Sequence, residues 1–591
     1  MHFALLDNNF DPAGPSYLYR EPVGFIRCER AADAARAFDE IEEALRAGFH
    51  LVGYARYELG ASFGYAMADP GPDPDLPLMC FGIFAGRETL NDTQVEAFLK
   101  EREGDGTPFL CDGTWNTDDA TYVARIGEIQ DHLLAGNSYQ VNYTIRHRSR
   151  FGGCPFAFYG QLRAAQPVAF GACLNFPEVT ALSRSPELFF ERRADTLRTR
   201  PMKGTAPRHP DDPARDAAAR ASLRADPKQN SENVMIVDLL RNDLGRIARA
   251  GSVSVDDLFA VETYRTVHQM TSTISAEIDR DRPLREIFEA LFPCGSITGA
   301  PKKRTCEIIA ETEGCARGIY TGAIGYITPD RDMCFNVPIR TFVIGKDRTA
   351  SFGVGGGIVH ESEAGAELAE ARLKARFLLD VPPAFNALDC FRYAPKTGPQ
   401  HMEMHLARLG RCCASLGFPV DIAAVRRDIA ALLPGLKVDS KIRIQITPAG
   451  ECRLDAVPLL PMPKGRMRVS LSPQPVSSTD PIFRHKTTNR AFFDRELAQA
   501  RVRDTVYDVL FANEKGHLTE ASYHSLFLRF DQEYLTPSLE CGLLDGVGRG
   551  RFLHRNAGQV REAQLPVEML RDADEVLLVS SVRGVVPVEV I

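Results

Sequence analysis

The sequence predicts a two-domain chain of mixed α/β and α+β class, a large first domain followed by a smaller second one. Its 591 residues exceed what a single hydrophobic core sustains. Short apolar runs of strand length alternate with helical spacing along the chain. The paired prolines of Leu378-Leu-Asp-Val-Pro-Pro-Ala384 stiffen a short linker between two different motif patterns. These observations divide the chain into residues 1–377, a linker over 378–385, and residues 386–591.

Composition narrows the function classes. With 44% hydrophobic and 25% charged residues and a formal net charge of -8, neither nucleic acid nor an anionic membrane is expected as main partner, though basic pockets for small anions remain open. Met1 to Phe10 has no basic flank and no long apolar core, and no transmembrane run follows. The 14 cysteines show neither a CxxC pair nor cysteine–histidine spacing of the zinc kind, so a reduced cytoplasmic protein is expected.

Residues 1 to about 115 read as strands, such as Leu51–Tyr54 and Met79–Phe84, with a helix near 31–47. Tyr122, Ile126, Ile129 and Leu133 then fall on one helical face, and Gly136 ends that helix. Ser138–Thr144 alternates as a strand, and strands over 178–182 and 187–192 form a pair bracketing Ser185-Pro-Glu187. In Thr199-Arg-Pro-Met-Lys-Gly-Thr-Ala-Pro-Arg208, Pro201 and Gly204 hold Lys203 between two restricted backbone positions. Arg200 and Arg208 are candidate cations to lower its pKa, although the same residues also make a basic surface turn.

The Ala-, Arg- and Asp-rich stretch 208–230 reads as an exposed, mobile connection, and Ser231 as the start of a helix with Glu232 in its first turn. His268 lies in a β-branched stretch that reads as a strand, where a lone histidine is more often a satisfied structural group than a catalyst. Pro293-Cys-Gly-Ser-Ile-Thr-Gly-Ala-Pro-Lys302 precedes the helix 301–312 and offers N–H groups to a carboxylate or phosphate, without being a P-loop. Strands follow around Tyr320, over Ala323–Ile327 and Phe335–Thr341, and over Phe352–Val359. Glu367, Glu370 and Lys374 share one helical face, as either an Mg²⁺ half-site or a solvated ion-pair row.

Together Tyr139-Gln-Val-Asn142, Ser185-Pro-Glu187, Pro201-Met-Lys-Gly-Thr205, Asp238-Leu-Leu-Arg-Asn-Asp-Leu-Gly245, Val267-His-Gln-Met270, Gly295-Ser-Ile-Thr-Gly-Ala-Pro-Lys302 and Gly355-Gly-Gly-Ile-Val359 resemble the chorismate-utilising enzymes. The resemblance implies a large sandwich of two antiparallel-rich sheets flanked by helices, with the active site between them. Lys203 stands where anthranilate-forming members carry alanine, and Gln140 where isochorismate-forming members carry a lysine, so the resemblance implies amination at C4 of chorismate. It assigns Lys203 as nucleophile, Glu187 as acid or base, and His268 to the site's lining. Glu232 and Glu370, with Glu367 close by, would bind Mg²⁺; Thr298, Tyr320, Arg340, Gly356 and Lys374 would hold the substrate. No glutaminase-like nucleophile turn is present, which implies ammonia from a separate amidotransferase subunit or from solution.

Beyond the linker, His405-Leu-Ala-Arg408, His485-Lys-Thr-Thr-Asn-Arg490, Leu518-Thr-Glu-Ala-Ser522, Leu544-Asp-Gly-Val-Gly-Arg549 and Ser580-Ser-Val-Arg583 resemble the class IV aminotransferase fold. That fold implies pyridoxal phosphate, with Lys486 bonding its aldehyde, Glu520 facing its ring nitrogen, and Arg408, Val547, Gly548 and Ser581 around its phosphate. Gly548 departs from the usual threonine and Ser525 from the common asparagine, and Asn386-Ala-Leu-Asp-Cys-Phe391 is a shortened form of the entry strands. The implied sequence is amination in the first half and pyruvate elimination to 4-aminobenzoate in the second. The rivals are an anthranilate-forming first half, or a cofactor-free docking or dimerisation module at 386–591.

Overall fold

Two antiparallel sheets of ten strands each stack in the first half of the chain, seen here in a computed structural model. The structure describes all residues except 1, 12–13, 69–75, 265–266, 380, 382 and 463–464. Between the sheets Ala4, Leu174 and Ala181 of one meet Val52, Tyr54 and Ile324 of the other. Each sheet buries its outer face under helices. Tyr122, Ile126 and Ile129, spaced by four and three, come from one such helix, which ends before Gly136 at a left-handed φ of 73°.

In the first sheet β1 (Phe109–Trp115) runs beside the long β2 (Gln140–Gly152). β3 (Val179–Ser185) belongs to that sheet, but β4 (Leu188–Arg193) belongs to the second, so the expected strand pair does not form. Pro186 lacks an N–H and has a fixed φ, so the ladder ends there and the chain crosses between sheets.

The second sheet continues with β5 (Met202–Pro207). The stretch expected to be a mobile connection is instead α1 (Pro213–Ala225), because its alanines and arginines favour helix, Pro213 starts it and Asp212 caps it through Arg215 N–H. α2 (Pro227–Gly245) begins before Ser231, whose hydroxyl bonds back to the Pro227 carbonyl, so Glu232 lies past the first turn. β6 (Val267–Glu277) pairs with β5, and α3 (Lys302–Glu313) follows the glycine-rich loop.

The expected strand over 335–341 is also split. β7 (Met333–Asn336) pairs with β4 in the second sheet, and β8 (Thr341–Gly345) pairs with β3 in the first. Thus β3–β4 and β7–β8 cross together as one bent ribbon. Ser185 Oγ donates to the Val337 carbonyl (2.6 Å), Val337 N–H to the Glu187 carbonyl (3.1 Å), and Arg184 N–H to the Arg340 carbonyl (3.0 Å). Tyr320 lies in a turn rather than a strand. β9 (Thr349–Ile358) and α4 (Ala364–Leu379) complete the half.

The second half has a four-stranded sheet against α5 (Met402–Leu416) and an eight-stranded sheet. The larger sheet includes β10 (Leu518–Ala521), then α6 (Val547–Arg555) packs beside β11 (Glu575–Ser580). The halves touch through Phe109 and Cys111 of β1, packed with Phe385 and Ile482. Polar contacts add to this seam: Arg150 donates to the Thr479 carbonyl (3.0 Å), and Arg348 pairs with Asp480 (3.2 Å). No helix among the described residues is long and apolar enough to cross a membrane.

Candidate active sites

The sheet-crossing ribbon puts Glu187 at the corner where the two sheets part. Glu187 is buried, and its Oε1 accepts from Ser296 Oγ at 2.6 Å. Burial raises its pKa, against the lowering effects of the Ser296 bond and the Lys203 charge, so its protonated form is favoured. Lys203 enters from β5, at a register shift where Gly204 adopts φ 90°, and its Nζ reaches the Ser296 carbonyl at 3.4 Å. A β-carbon on Gly204 would also crowd Gln229 and Leu223, at 3.1 and 3.2 Å. Desolvation lowers the Lys203 pKa, Glu187 and Glu232 oppose that, and Lys374 adds to it. The expected helpers are engaged elsewhere: Arg200 pairs with Glu262 at 3.0 Å and Arg208 with Asp216 at 2.9 Å. The cation felt by Lys203 is therefore Lys374.

The other wall comes from β9 and α4. Lys374 Nζ donates to the Gly355 carbonyl (2.9 Å) and pairs with Glu370 (2.7 Å), while Glu367 accepts from Ser362 Oγ (2.7 Å). A β-carbon at Gly356 would stand 3.3 Å from Glu367 Oε2 and 3.7 Å from Lys374 Nζ, so a glycine lets both side chains lie over the strand. Glu232 approaches from α2. All three glutamates are hard oxygen donors of the kind Mg²⁺ takes, one or two at a time with water and substrate oxygens. Glu367 and Glu370 stand one turn apart on α4, and the three glutamates do not converge on one point, since among the described residues the only three-donor group within 4.8 Å lies elsewhere.

Arg340 adopts φ 53° on the ribbon, and burial lowers its pKa to about 10, opposed only by Tyr264. A guanidinium desolvated without a carboxylate partner among the described residues suits an incoming anion. Tyr320 is buried under the Arg146 guanidinium, 4.8 Å from its ring centre. Thr298 spends its hydroxyl on the Cys294 and Gly295 carbonyls, so it shapes the loop. His268 has both ring nitrogens occupied, Nδ1 by Thr263 Oγ1 and Nε2 by Asp216 Oδ1, each at 3.0 Å. Sequence reasoning missed Ser296 and Asp216. The first lay within a loop already noted for its hydroxyls, and the second within the stretch read as a connection.

In the second half, Lys486, Glu520, Arg408, Val547, Gly548 and Ser581 line one pocket. The Lys486 carbonyl accepts from Leu388 N–H at 2.9 Å, which ties its loop to the shortened entry strand. Burial, then the Arg408 charge, lowers the Lys486 pKa, favouring a free amine. Burial raises Glu520 to about 8, although its Oε1 accepts from Leu544 N–H at 3.1 Å and Lys486 opposes the shift. Arg408 gives Nε and Nη2 to Asp389, at 3.0 and 2.7 Å, and His405 Nδ1 lies 2.7 Å from the same carboxylate. Burial alone would raise Asp389, but Arg408 and His405 hold it at about 2. Sequence reasoning missed this anchoring carboxylate, because nothing local to residue 389 announces a partner on α5.

The departure at Gly548 has a steric cause. A β-carbon there would lie 2.7 Å from the Ser580 carbonyl carbon and 2.8 Å from Ser581 N, so α6 begins directly against the end of β11 and leaves no room for threonine. The result is a cradle of backbone N–H groups at a helix start, with Ser581 and Arg408 beside it. A desolvated lysine, a buried acid with a raised pKa and an N–H cradle for phosphate fit pyridoxal phosphate.

Fold and geometry thus define an α/β enzyme whose first site pairs a desolvated lysine and a buried acid with groups for an anionic substrate. The chain belongs to the chorismate binding enzyme family, whose match spans residues 19–380, and residues 387–591 match the amino-transferase class IV family. It is 36% identical over 344 residues to aminodeoxychorismate synthase component 1 of Klebsiella aerogenes, covering 56% of this chain and 76% of that one. It is 37% identical over 267 residues to anthranilate synthase component 1 of Streptomyces coelicolor, covering 45% and 52%. The solved anthranilate synthase component I of Streptococcus pneumoniae superposes with a TM-score of 0.54 at 23% identity, over 63% of this chain and 94% of that one.

Proposed function

We propose that the first half aminates chorismate to 4-amino-4-deoxychorismate and the second eliminates pyruvate to give 4-aminobenzoate. The observation that carries this reading is Lys203, a desolvated amine within reach of the Ser296 carbonyl, with the buried Glu187 acid held by the same serine. The Lys203 amine adds at C2 with allylic shift, and the C4 hydroxyl leaves as water on a proton from Glu187. Ammonia then adds at C4 with the reverse shift, expelling Lys203 and restoring its amine. Arg340 and Lys374 bind the substrate's carboxylates. Mg²⁺, held by Glu232 and Glu370 with Glu367 close by, would neutralise the ring carboxylate. Ammonia is supplied by a separate glutamine amidotransferase or from solution.

In the second half pyridoxal phosphate, when bound, would withdraw electrons from the carbon bearing the new amine. Lys486 takes the C4 proton and returns one to the departing pyruvate, while Glu520 faces the ring nitrogen and Arg408, oriented by Asp389, faces the phosphate. Loss of pyruvate leaves an aromatic ring, which drives the step. Incubation with chorismate, Mg²⁺ and ammonium salts tests both halves by product identity. Lys203→Ala should lower amination by at least about 10³-fold. Lys486→Ala should leave amination intact and accumulate the aminated intermediate. Anthranilate as the product would overturn the first assignment, and pyruvate release at the usual rate by Lys486→Ala the second.

A further inference from the structure

A cluster outside both sites joins the two halves. Cys111 and Asp112 of β1 meet His485, the residue before Lys486, and one ligand-type atom from each lies within 4.8 Å of the others. Consecutive strand residues normally point to opposite faces. Here the alternation is broken: Asp112 adopts φ 55°, and the β1–β2 register shifts between Cys111 and Thr114. That bulge brings two successive donor side chains to one point, at the cost of a left-handed conformation in a non-glycine residue. Ser415 of α5 lies against both sides of the seam, its Oγ donating to Asp112 Oδ1 at 2.6 Å and lying 3.4 Å from His485 Nε2. The His485 ring sits edge-on to Phe109, 6.2 Å between centres, and Phe109 packs the same way on Phe385 at 5.2 Å. The cluster therefore has an apolar wall on one side and, through the exposed Asp112, an opening to solvent on the other.

We propose that Cys111, Asp112 and His485 form a zinc site that clasps the first half to the loop carrying Lys486. One thiolate, one imidazole and one carboxylate make a mixed S, N, O set. That set suits Zn²⁺, which accepts all three in tetrahedral geometry, and not Mg²⁺ or Ca²⁺, which take oxygen ligands. A water or the Ser415 hydroxyl completes the four. Binding replaces the Cys111 thiol proton, which leaves to solvent, and the hydrogen bonds of Ser415 become outer support for the ligands. No short cysteine–histidine spacing marks such a site, because its ligands lie 373 positions apart, from 112 to 485.

The test is metal analysis of full-length protein expressed with added zinc and dialysed against metal-free buffer, with Co²⁺ as an optical probe. About one zinc per chain is expected, together with the visible bands of tetrahedral cobalt and a near-ultraviolet thiolate band. Cys111→Ser should abolish the thiolate band. Asp112→Asn, which tolerates the left-handed backbone and can keep the Ser415 bond, should weaken zinc binding about 10- to 100-fold with unchanged circular dichroism. Zinc content no higher than in the Cys111→Ser/Asp112→Asn double variant, or cobalt spectra of octahedral type without a thiolate band, would overturn the proposal.

Discussion

A carboxyl group buried beside a hydroxyl and an amine is set to donate a proton, and Glu187 occupies that position. Its raised pKa means the acid form persists above the ordinary 4.5 and disappears as pH climbs through the folded value. Amination kcat should therefore fall on the alkaline side of that value. Glu187→Gln should lose about 10²- to 10⁴-fold in kcat, with that limb of the pH profile gone; an unaltered profile would remove Glu187 from the chemistry. Glu520 gives a stability reading of the same sign. In cofactor-free protein the folded state keeps a proton that the unfolded chain releases near 4.5, up to about 8. Stability should thus be highest below 4.5 as far as this group is concerned, and fall by at most about 1.4 kcal/mol per pH unit between those values. Denaturant titrations across that window should show a steeper fall in wild type than in Glu520→Gln.

At the level of elements, local grammar made the helices around Tyr122 and Lys302 readable, since apolar spacing and a terminal glycine or proline are written side by side. The sheet-crossing ribbon was not readable. Residues 187–192 carry a short apolar run like any strand, and only pairing of Leu188 with Asn336 assigns them to the second sheet. α1 was missed for the opposite reason: its single fully buried residue is Leu223, so it carries no strong apolar stripe, while its capping Asp212 and Pro213 were passed over. Gly548 was read as a departure from the usual threonine, and contact between α6 and β11 turns it into a packing requirement. Gly548→Thr should therefore not repair the site. Overlap with the Ser580–Ser581 backbone should cost about 1 to 3 kcal/mol and weaken pyridoxal phosphate binding, measurable by thermal melts and cofactor titration. Tighter binding in that variant would show that the backbone moves aside without loss.

Over the whole molecule, the strand that lines the first site also reaches the second half. β2 begins at Gln140, paired with Ala300 next to the glycine-rich loop, and at Arg150 it touches Thr479 across the seam. Ten strand residues at about 3.3 Å each separate those points by roughly 30 Å, far beyond the reach of any side chain shared by both sites. Among the described residues neither pocket borrows from the other half, since Lys203, Glu187 and Arg340 all lie in the first half and Lys486, Glu520 and Arg408 in the second. The two chemistries should therefore complement in trans. Lys203→Ala protein lacks the first step and Lys486→Ala protein the second, so neither alone should form 4-aminobenzoate at the wild-type rate. Mixed with chorismate, Mg²⁺ and ammonium, they should restore it after a lag that shortens as the Lys203→Ala protein is raised, because the intermediate must cross solvent. A mixture as inactive as its components, with both proteins folded and the second half loaded with cofactor, would mean that the two lysines do not divide the reaction between the halves.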